Sequence, residues 1–166
     1  MSGYPEAAPG PLSAGMKVTR SWFDAAGQRL DPATIKVGGL VVVRLQVEAS
    51  QEIPDALLVE MLPAGFELEN PALGQGVKLE DLTLEGQPAW QWEWDDYVKH
   101  QEYRDDRYSA ALTLSPGGSR QLIYLMRAVT PGEYAVPLTQ VEDMVRPELR
   151  ARGGEGITRT RIVQAQ

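Results

Sequence analysis

The side chains best suited to chemistry in this 166-residue chain are a histidine and several acids in one segment: Asp95, Asp96, His100, Glu102, Asp105 and Asp106. Imidazole and carboxylate groups are common ligands of transition metals and calcium. Their spacing, however, matches neither an EF-hand loop nor a zinc motif. Arg104 and Arg107 stand among the acids and favour local ion pairs instead. We therefore expect no metal site and no cofactor.

A hydrolytic triad is a second chemistry to consider, since Ser, His and Asp all occur. The chain has no Gly-x-Ser-x-Gly elbow of the kind that exposes a nucleophilic serine, and no Gly-rich phosphate loop follows a strand in the required form. It has no cysteine, which excludes thiolate catalysis and disulfides. We expect no catalytic residue and no enzyme activity.

Three tryptophans indicate a binding surface of another class. On a strand, Trp90, Trp92 and Trp94 share one face, where they would stack on sugars or, as we favour, pack in a core or an interface. On a helix, Pro88 suits the first turn, so one short helix near residues 88–98 is an equal alternative. The alternative function is thus a carbohydrate- or peptidoglycan-binding module, or another protein-interaction β-sandwich.

Charge and length bound the function further. A net charge of −7 argues against a nucleic-acid partner. No apolar run approaches the roughly 18–20 residues that a membrane span needs. Residues 1–11 lack the basic start and apolar core of a signal peptide, and we expect residues 1–14 to be a disordered linker or a tail left from cloning. Residues 15–166 fit a single domain by size.

Strand patterns dominate the rest of the chain. In residues 40–47 an apolar set, Val41, Val43, Leu45 and Val47, alternates with a mixed set and predicts a half-buried strand. Thr130–Glu133 carries Pro and Gly at the central positions of a type II turn and predicts a hairpin returning through residues 134–136. About seven or more short strands with little helix predict an all-β, antiparallel β-sandwich. The predicted strands cover residues 16–23, 40–47, 56–62, 66–69, 108–114, 120–127, 134–136 and 157–163.

A polar loop is predicted after that hairpin, over residues 141–148 (VEDMVRPE). Loops at the ends of a sandwich often carry contacts. The plain interpretation is a connector held by exposed ion pairs worth about 0–1 kcal/mol, with Glu142 or Asp143 paired to Arg146 or Arg150. The apolar pair Met144–Val145 among these charges indicates instead that something covers the loop.

Three runs in this order carry a family resemblance: residues 99–107 (KHQEYRDDR), 124–134 (YLMRAVTPGEY) and 141–148. With residues 55–70, they make residues 15–164 resemble the C-terminal macroglobulin-like, receptor-binding-type domain of bacterial alpha-2-macroglobulins. The resemblance implies a macroglobulin-like sandwich in a protease-trapping endopeptidase inhibitor of host defence or colonisation. It implies a periplasmic parent associated with the inner membrane. The implied partners are the other domains of the parent, target proteases indirectly, and other periplasmic or inner-membrane proteins.

The resemblance also implies a role for the loop. In thioester-bearing members a Met–Tyr pair there shields the thioester from water. Met144 matches the Met, but Val145 stands where the Tyr is expected, and losing the ring weakens such a lock. The departure fits the thioester-lacking, MagD-type members better. The resemblance therefore assigns docking on a neighbouring domain, which stabilises the native trap, to Met144 and Val145, with Glu142, Asp143 and Arg146 orienting the loop.

Overall fold

The computed structural model describes residues 10–30, 34–69, 83–84, 87–88, 98–154 and 156–164. Within those ranges every regular element is a β-strand, and no helix there is long and apolar enough to cross a membrane. The strands are β1 (Leu12–Ala14), β2 (Met16–Phe23), β3 (Thr34–Lys36), β4 (Leu40–Ala49), β5 (Ile53–Met61), β6 (Phe66–Glu69), β7 (Thr83–Leu84), β8 (Gln87–Pro88), β9 (Val98–Tyr103), β10 (Arg107–Leu114), β11 (Ser119–Ala128), β12 (Gly132–Ala135), β13 (Thr139–Asp143), β14 (Arg150–Gly153) and β15 (Arg159–Val163).

Two antiparallel sheets form a sandwich. The six-stranded sheet has the order β1-β14-β13-β5-β10-β9, and the four-stranded sheet has the order β2-β4-β11-β6. Strand β2 packs against β13 and β14, and one hydrophobic cluster takes side chains from both sheets. A three-stranded sheet, β12-β15-β3, and the β7-β8 pair are added to this frame. The prediction of an all-β antiparallel sandwich is confirmed.

Alternation along β4 builds both sides of the four-stranded sheet. Val41, Val43, Leu45 and Val47 are all 0% exposed, as predicted, because successive strand residues point to opposite faces. Val42 faces the other way and is equally buried, in a second cluster with Phe23, Leu84, Ile123 and Leu125. Strand β7, through Leu84, therefore covers the outer face of this sheet. The sequence pattern did not indicate that cover.

The chain crosses between sheets at residues 129–131 and does not form the predicted hairpin. Strand β11 pairs with β4 and β6, whereas β12 pairs with β15. Gly132 has a φ of 147°, far from the roughly +80° of a type II turn. The hydroxyl of Tyr134 donates to the carbonyls of Thr130 and Pro131, at 2.9 and 3.1 Å. The hairpin prediction is wrong, because turn chemistry does not decide which strand the chain pairs with next.

Strand β1 lies within the segment predicted to be a tail. Residues 12–14 pair with Arg150–Arg152 of β14, which makes β1 the edge of the six-stranded sheet. This part of the segment is therefore an ordered strand, because it hydrogen-bonds to the backbone of β14. The local sequence pattern does not indicate that pairing. The domain boundaries themselves stay a prediction.

The predicted helix near residues 88–98 meets described residues only at its ends. Gln87–Pro88 form β8, and Val98 begins β9, so neither end is helical. The three tryptophans on which both the helix and the sugar-binding alternatives depended, Trp90, Trp92 and Trp94, lie outside the described residues.

A buried ion pair joins the two sheets of the sandwich. Arg20 of β2 donates from Nη1 to Oε1 of Glu60 in β5 at 3.0 Å, and the two side chains are 1% and 0% exposed. The same carboxylate accepts the hydroxyls of Thr139, at 2.8 Å, and Tyr124, at 2.9 Å. Burial raises the pKa of Glu60, while the Arg20 charge and the two hydroxyls oppose that rise.

The Arg20 guanidinium also forms hydrogen bonds with backbone carbonyls of the loops beside it. It donates to the carbonyls of Pro137, Gly154 and Ile157, at 2.7, 3.0 and 2.8 Å. Gly154 has a φ of +92°, and a Cβ at that position would lie 2.9 Å from the guanidinium carbon. Glycine therefore permits the close approach by which Arg20 holds these loops.

We predict that Glu60→Gln lowers the free energy of unfolding by about 3–5 kcal/mol, because it leaves the Arg20 charge buried without a counter-charge. Equilibrium urea denaturation measures the change. The matched control is Glu133→Gln in the exposed Arg161–Glu133 pair, whose side chains are 57% and 56% exposed. That variant should leave the denaturation midpoint nearly unchanged. Equal midpoints for the two variants would contradict the structural role of the buried pair.

Candidate docking site

The residues predicted to dock lie where β13 turns into β14. The two strands are antiparallel neighbours, and residues 144–149 connect them. Val141, Glu142 and Asp143 therefore belong to a strand, which corrects the prediction of a loop over residues 141–148. Val141 and Asp143 are 2% and 1% exposed and Glu142 is exposed. The strand escaped the sequence analysis because Asp143 occupies an inward position that usually holds an apolar residue.

Met144 and Val145 protrude at the start of the connection. Their exposed fractions are 49% and 74%, and within the described ranges they are the large hydrophobic side chains left exposed. We call this pair the apolar tip. The structure thus places the two predicted docking residues side by side at the surface.

Asp143 organises the backbone beneath the apolar tip. Its Oδ1 accepts the N–H of Val145 at 2.9 Å, and its Oδ2 accepts Nε–H of Arg146 at 2.9 Å. The Val145 N–H holds the pKa of Asp143 below its ordinary value, against the effect of burial and with help from Arg146. The predicted ion pair between Asp143 and Arg146 is present. Together with the Val145 N–H bond, it fixes the shape of the loop.

Arg146 ties the apolar tip to the turn between β4 and β5. Its Nη1 donates to Oε1 of Gln51 at 3.2 Å, and its Nη2 donates to the carbonyl of Glu52 at 3.1 Å. The N–H of Met144 donates to the carbonyl of Asp55 at 2.9 Å. Sequence reasoning missed these supporting residues, since two of them act through backbone carbonyls, which any residue type would supply.

Leu149 closes the connection at its other end. Its carbonyl accepts the N–H of Asp143, and its N–H donates to the carbonyl of Arg146, both at 2.9 Å. With both ends of the connection hydrogen-bonded, the exposed apolar tip sits on a fixed backbone. A fixed loop loses little conformational entropy when a partner covers it.

Glu142 lies apart from this network. It faces outward from β13, between Leu57 of β5 and Arg150 of β14 in the sheet register. A shallow depression beside it is lined by Leu57, Val59, Gln140, Glu142, Arg150 and Arg152. The structure therefore brings together four of the five predicted docking residues and places Glu142 on the adjoining sheet face.

The acid-rich segment behaves as local ion pairs where the structure describes it. Oε1 of Glu102 lies 3.6 Å from Nε2 of His100 and 3.6 Å from Nη2 of Arg104. The Arg104 charge lowers the pKa of Glu102. The described residues contain no group of three or more His, Asp or Glu side chains that could hold a metal ion, and Asp95 and Asp96 lie outside them.

The sequence of this chain matches a known protein family and several of its members. The family model described as the bacterial alpha-2-macroglobulin MG10 domain matches residues 15–148. The alpha-2-macroglobulin of Xylella fastidiosa strain Temecula1 is 41% identical over 164 residues, which are 99% of this chain and 10% of the relative. That of Escherichia coli K12 is 42% identical over 153 residues, 92% of this chain and 9% of the relative. The chain thus spans about a tenth of these relatives.

Solved structures agree with the sequence comparison. Native Escherichia coli alpha-2-macroglobulin, from domain MG7 to the C-terminus, superposes with a TM-score of 0.85 and 39% identity, covering 96% of this chain and 25% of that one. Salmonella alpha-2-macroglobulin reacted with methylamine gives a TM-score of 0.82 at 39% identity, covering 97% of this chain and 10% of that one. The likeness therefore extends over nearly the whole chain.

We predict that Asp143 titrates below the ordinary value of about 3.9, with the Val145 amide chemical shift as the reporter. Because its folded-state pKa is the lower one, Asp143 contributes stability above the unfolded-state value, and that contribution is lost as pH falls through the folded-state pKa. Asp143→Asn should abolish the acid-dependent change of the Val145 amide. A midpoint at or above the ordinary value would contradict the hydrogen bonding described here.

Proposed function

The chain belongs to the family of bacterial alpha-2-macroglobulin MG10 domains, and we propose that it docks through its apolar tip on a neighbouring domain of a protease-trapping parent and stabilises the native trap. The observation that carries the proposal is the exposure of Met144 and Val145, at 49% and 74%, on a hydrogen-bonded loop. Two adjacent exposed apolar side chains form a small apolar patch, which a partner surface can cover.

The rigidity of the loop supports docking over a plain connector. A connector needs only to span the gap between β13 and β14, and exposed ion pairs would suffice for that. Here Asp143 is buried and spends both carboxylate oxygens on the loop itself. The arrangement holds two apolar side chains outward at a fixed position, which lowers the entropic cost of burying them against a partner.

The proposed role of the domain is non-enzymatic and belongs to a larger, periplasmic parent protein. The domain is non-catalytic, and the parent, an endopeptidase inhibitor, meets its target proteases through other regions. The family resemblance supports a periplasmic parent associated with the inner membrane. The chain spans about a tenth of the relatives that it matches, 10% and 9% of their lengths, so the partner surface is sought in the remainder of the parent.

Val145 bears on the chemistry of that parent. Valine has neither the ring nor the hydroxyl of the tyrosine expected at this position in thioester-bearing members, so it seals a reactive bond poorly. We therefore propose that the parent lacks a thioester and that this domain serves packing. Methylamine, which opens a thioester, should leave the intact mass of the parent unchanged. A gain of one methylamine would overturn this part of the proposal.

Met144→Asp should weaken association of this chain with the remainder of the parent at least tenfold, because docking would then bury a carboxylate in an apolar contact. The melting temperature should change little, since about half of the Met144 side chain is exposed in the free domain. Isothermal titration calorimetry and thermal unfolding measure the two effects.

The control is Met61→Asp, which makes the same change at a half-buried methionine at the far end of β5. It should leave the affinity unchanged. Unchanged affinity in Met144→Asp would show that the apolar tip is not the docking site.

A further inference from the structure

We propose that Gly15, together with the edge strand β1, positions the apolar tip, so that the segment by which the chain enters the domain sets the docking geometry. The inference rests on the proposed function above for its docking consequence. Its structural basis is the pairing of β1 with Arg150–Arg152 of β14, directly after the tip connection. Gly15 is the residue between β1 in the six-stranded sheet and β2 in the four-stranded sheet.

Gly15 touches one support of the apolar tip at Leu149. A Cβ built on Gly15 would lie 2.7 Å from Cδ2 of Leu149, closer than real Cβ contacts. Leu149 in turn closes the tip through its hydrogen bonds to Asp143 and Arg146, both at 2.9 Å. The contact is with the end of the Leu149 side chain, so pressure from Gly15 reaches the Leu149 backbone, which closes the loop, through that side chain.

Gly15 also contacts the turn between β4 and β5, the second support of the apolar tip, through Ser50. The carbonyl of Gly15 accepts the N–H of Ser50 at 3.0 Å and its hydroxyl at 3.2 Å. Ser50 is followed by Gln51 and Glu52, which supply the acceptors of the Arg146 guanidinium. Both supports of the apolar tip thus meet at one glycine, although the tip lies about 130 residues further along the chain.

Strand β1 is suited to transmit a displacement. It is three residues long and lies at the sheet edge, and short edge strands open at lower free energy than the strands of the core. If the preceding segment moves, β1 separates from β14, and Gly15 no longer braces Leu149 and Ser50. Because coupling is reciprocal, a docked tip would also hold β1 in place.

The chain offers a matched pair of variants for the test. Gly15 and Gly117 both have a φ of +81°, but a Cβ at Gly117 would meet nothing within 4 Å. Both positions hold the same left-handed φ, and only Gly15→Ala also presses on the Leu149 side chain. In the 166-residue chain, Gly15→Ala should shift the amide resonances of Met144 and Val145, and Gly117→Ala should leave them in place.

A deletion of residues 1–14 gives the same readout without any clash, and it serves if Gly15→Ala does not fold. The deletion should shift the same amides and speed their hydrogen exchange. Both Gly15→Ala and the deletion should bind the remainder of the parent at least tenfold more weakly than Gly117→Ala does.

The outcomes separate this inference from the proposed function. Unmoved amides in both Gly15→Ala and the deletion would overturn the inference, whatever Met144→Asp does to binding. Moved amides with unchanged affinity, when Met144→Asp does weaken binding, would overturn the coupling to docking. If Met144→Asp leaves binding intact, the proposed function fails, and the amide shifts alone still confirm or overturn the positioning by Gly15.

Discussion

The buried ion pair between Arg20 and Glu60 is the constraint on which the sandwich depends. It crosses from the four-stranded sheet to the six-stranded sheet, and both side chains are almost wholly buried. Removing two charges from water is costly, and a buried pair is weak evidence for stability. We expect the pair to favour one strand register, since a one-residue slip of β2 or β5 would turn one charge outward and leave the other unpaired in the core.

The network around Glu60 reaches further than the pair. Tyr124 donates to Glu60 and stacks on Tyr108, with ring centroids 5.0 Å apart, and the Tyr108 hydroxyl donates to Gln101 in edge strand β9 at 2.7 Å. In the other direction, Thr139 binds Glu60 at the start of β13, and the same strand ends at Asp143. The strand that carries the apolar tip is therefore anchored at one end in the core and at the other in the loop network. This continuity explains how a surface loop keeps a definite shape.

Much of the sandwich was predictable because strand burial is a local pattern. Strand β2 was predicted over the same residues that the structure shows, and the inward set of β4 is buried as expected. The failures share a cause. The hairpin at Thr130–Glu133 was wrong because pairing with β15 depends on a segment almost 30 residues later. The strand over Val141–Asp143 was missed because a buried acid is acceptable only with hydrogen-bond partners that the sequence does not display.

The amino-acid sequence by itself determined the strand alternation, the all-β class and the apolar pair Met144–Val145 among charged residues, because these depend on residue type and short spacing. Only the tertiary structure decided that Arg20 is buried opposite Glu60, that Asp143 faces inward beneath the tip, and that Gly15 lies against its supports. The physical reason is the separation along the chain of the residues that interact. Hydrogen bonds and close packing join residues 40 to 134 positions apart, and only a folded backbone brings such residues together.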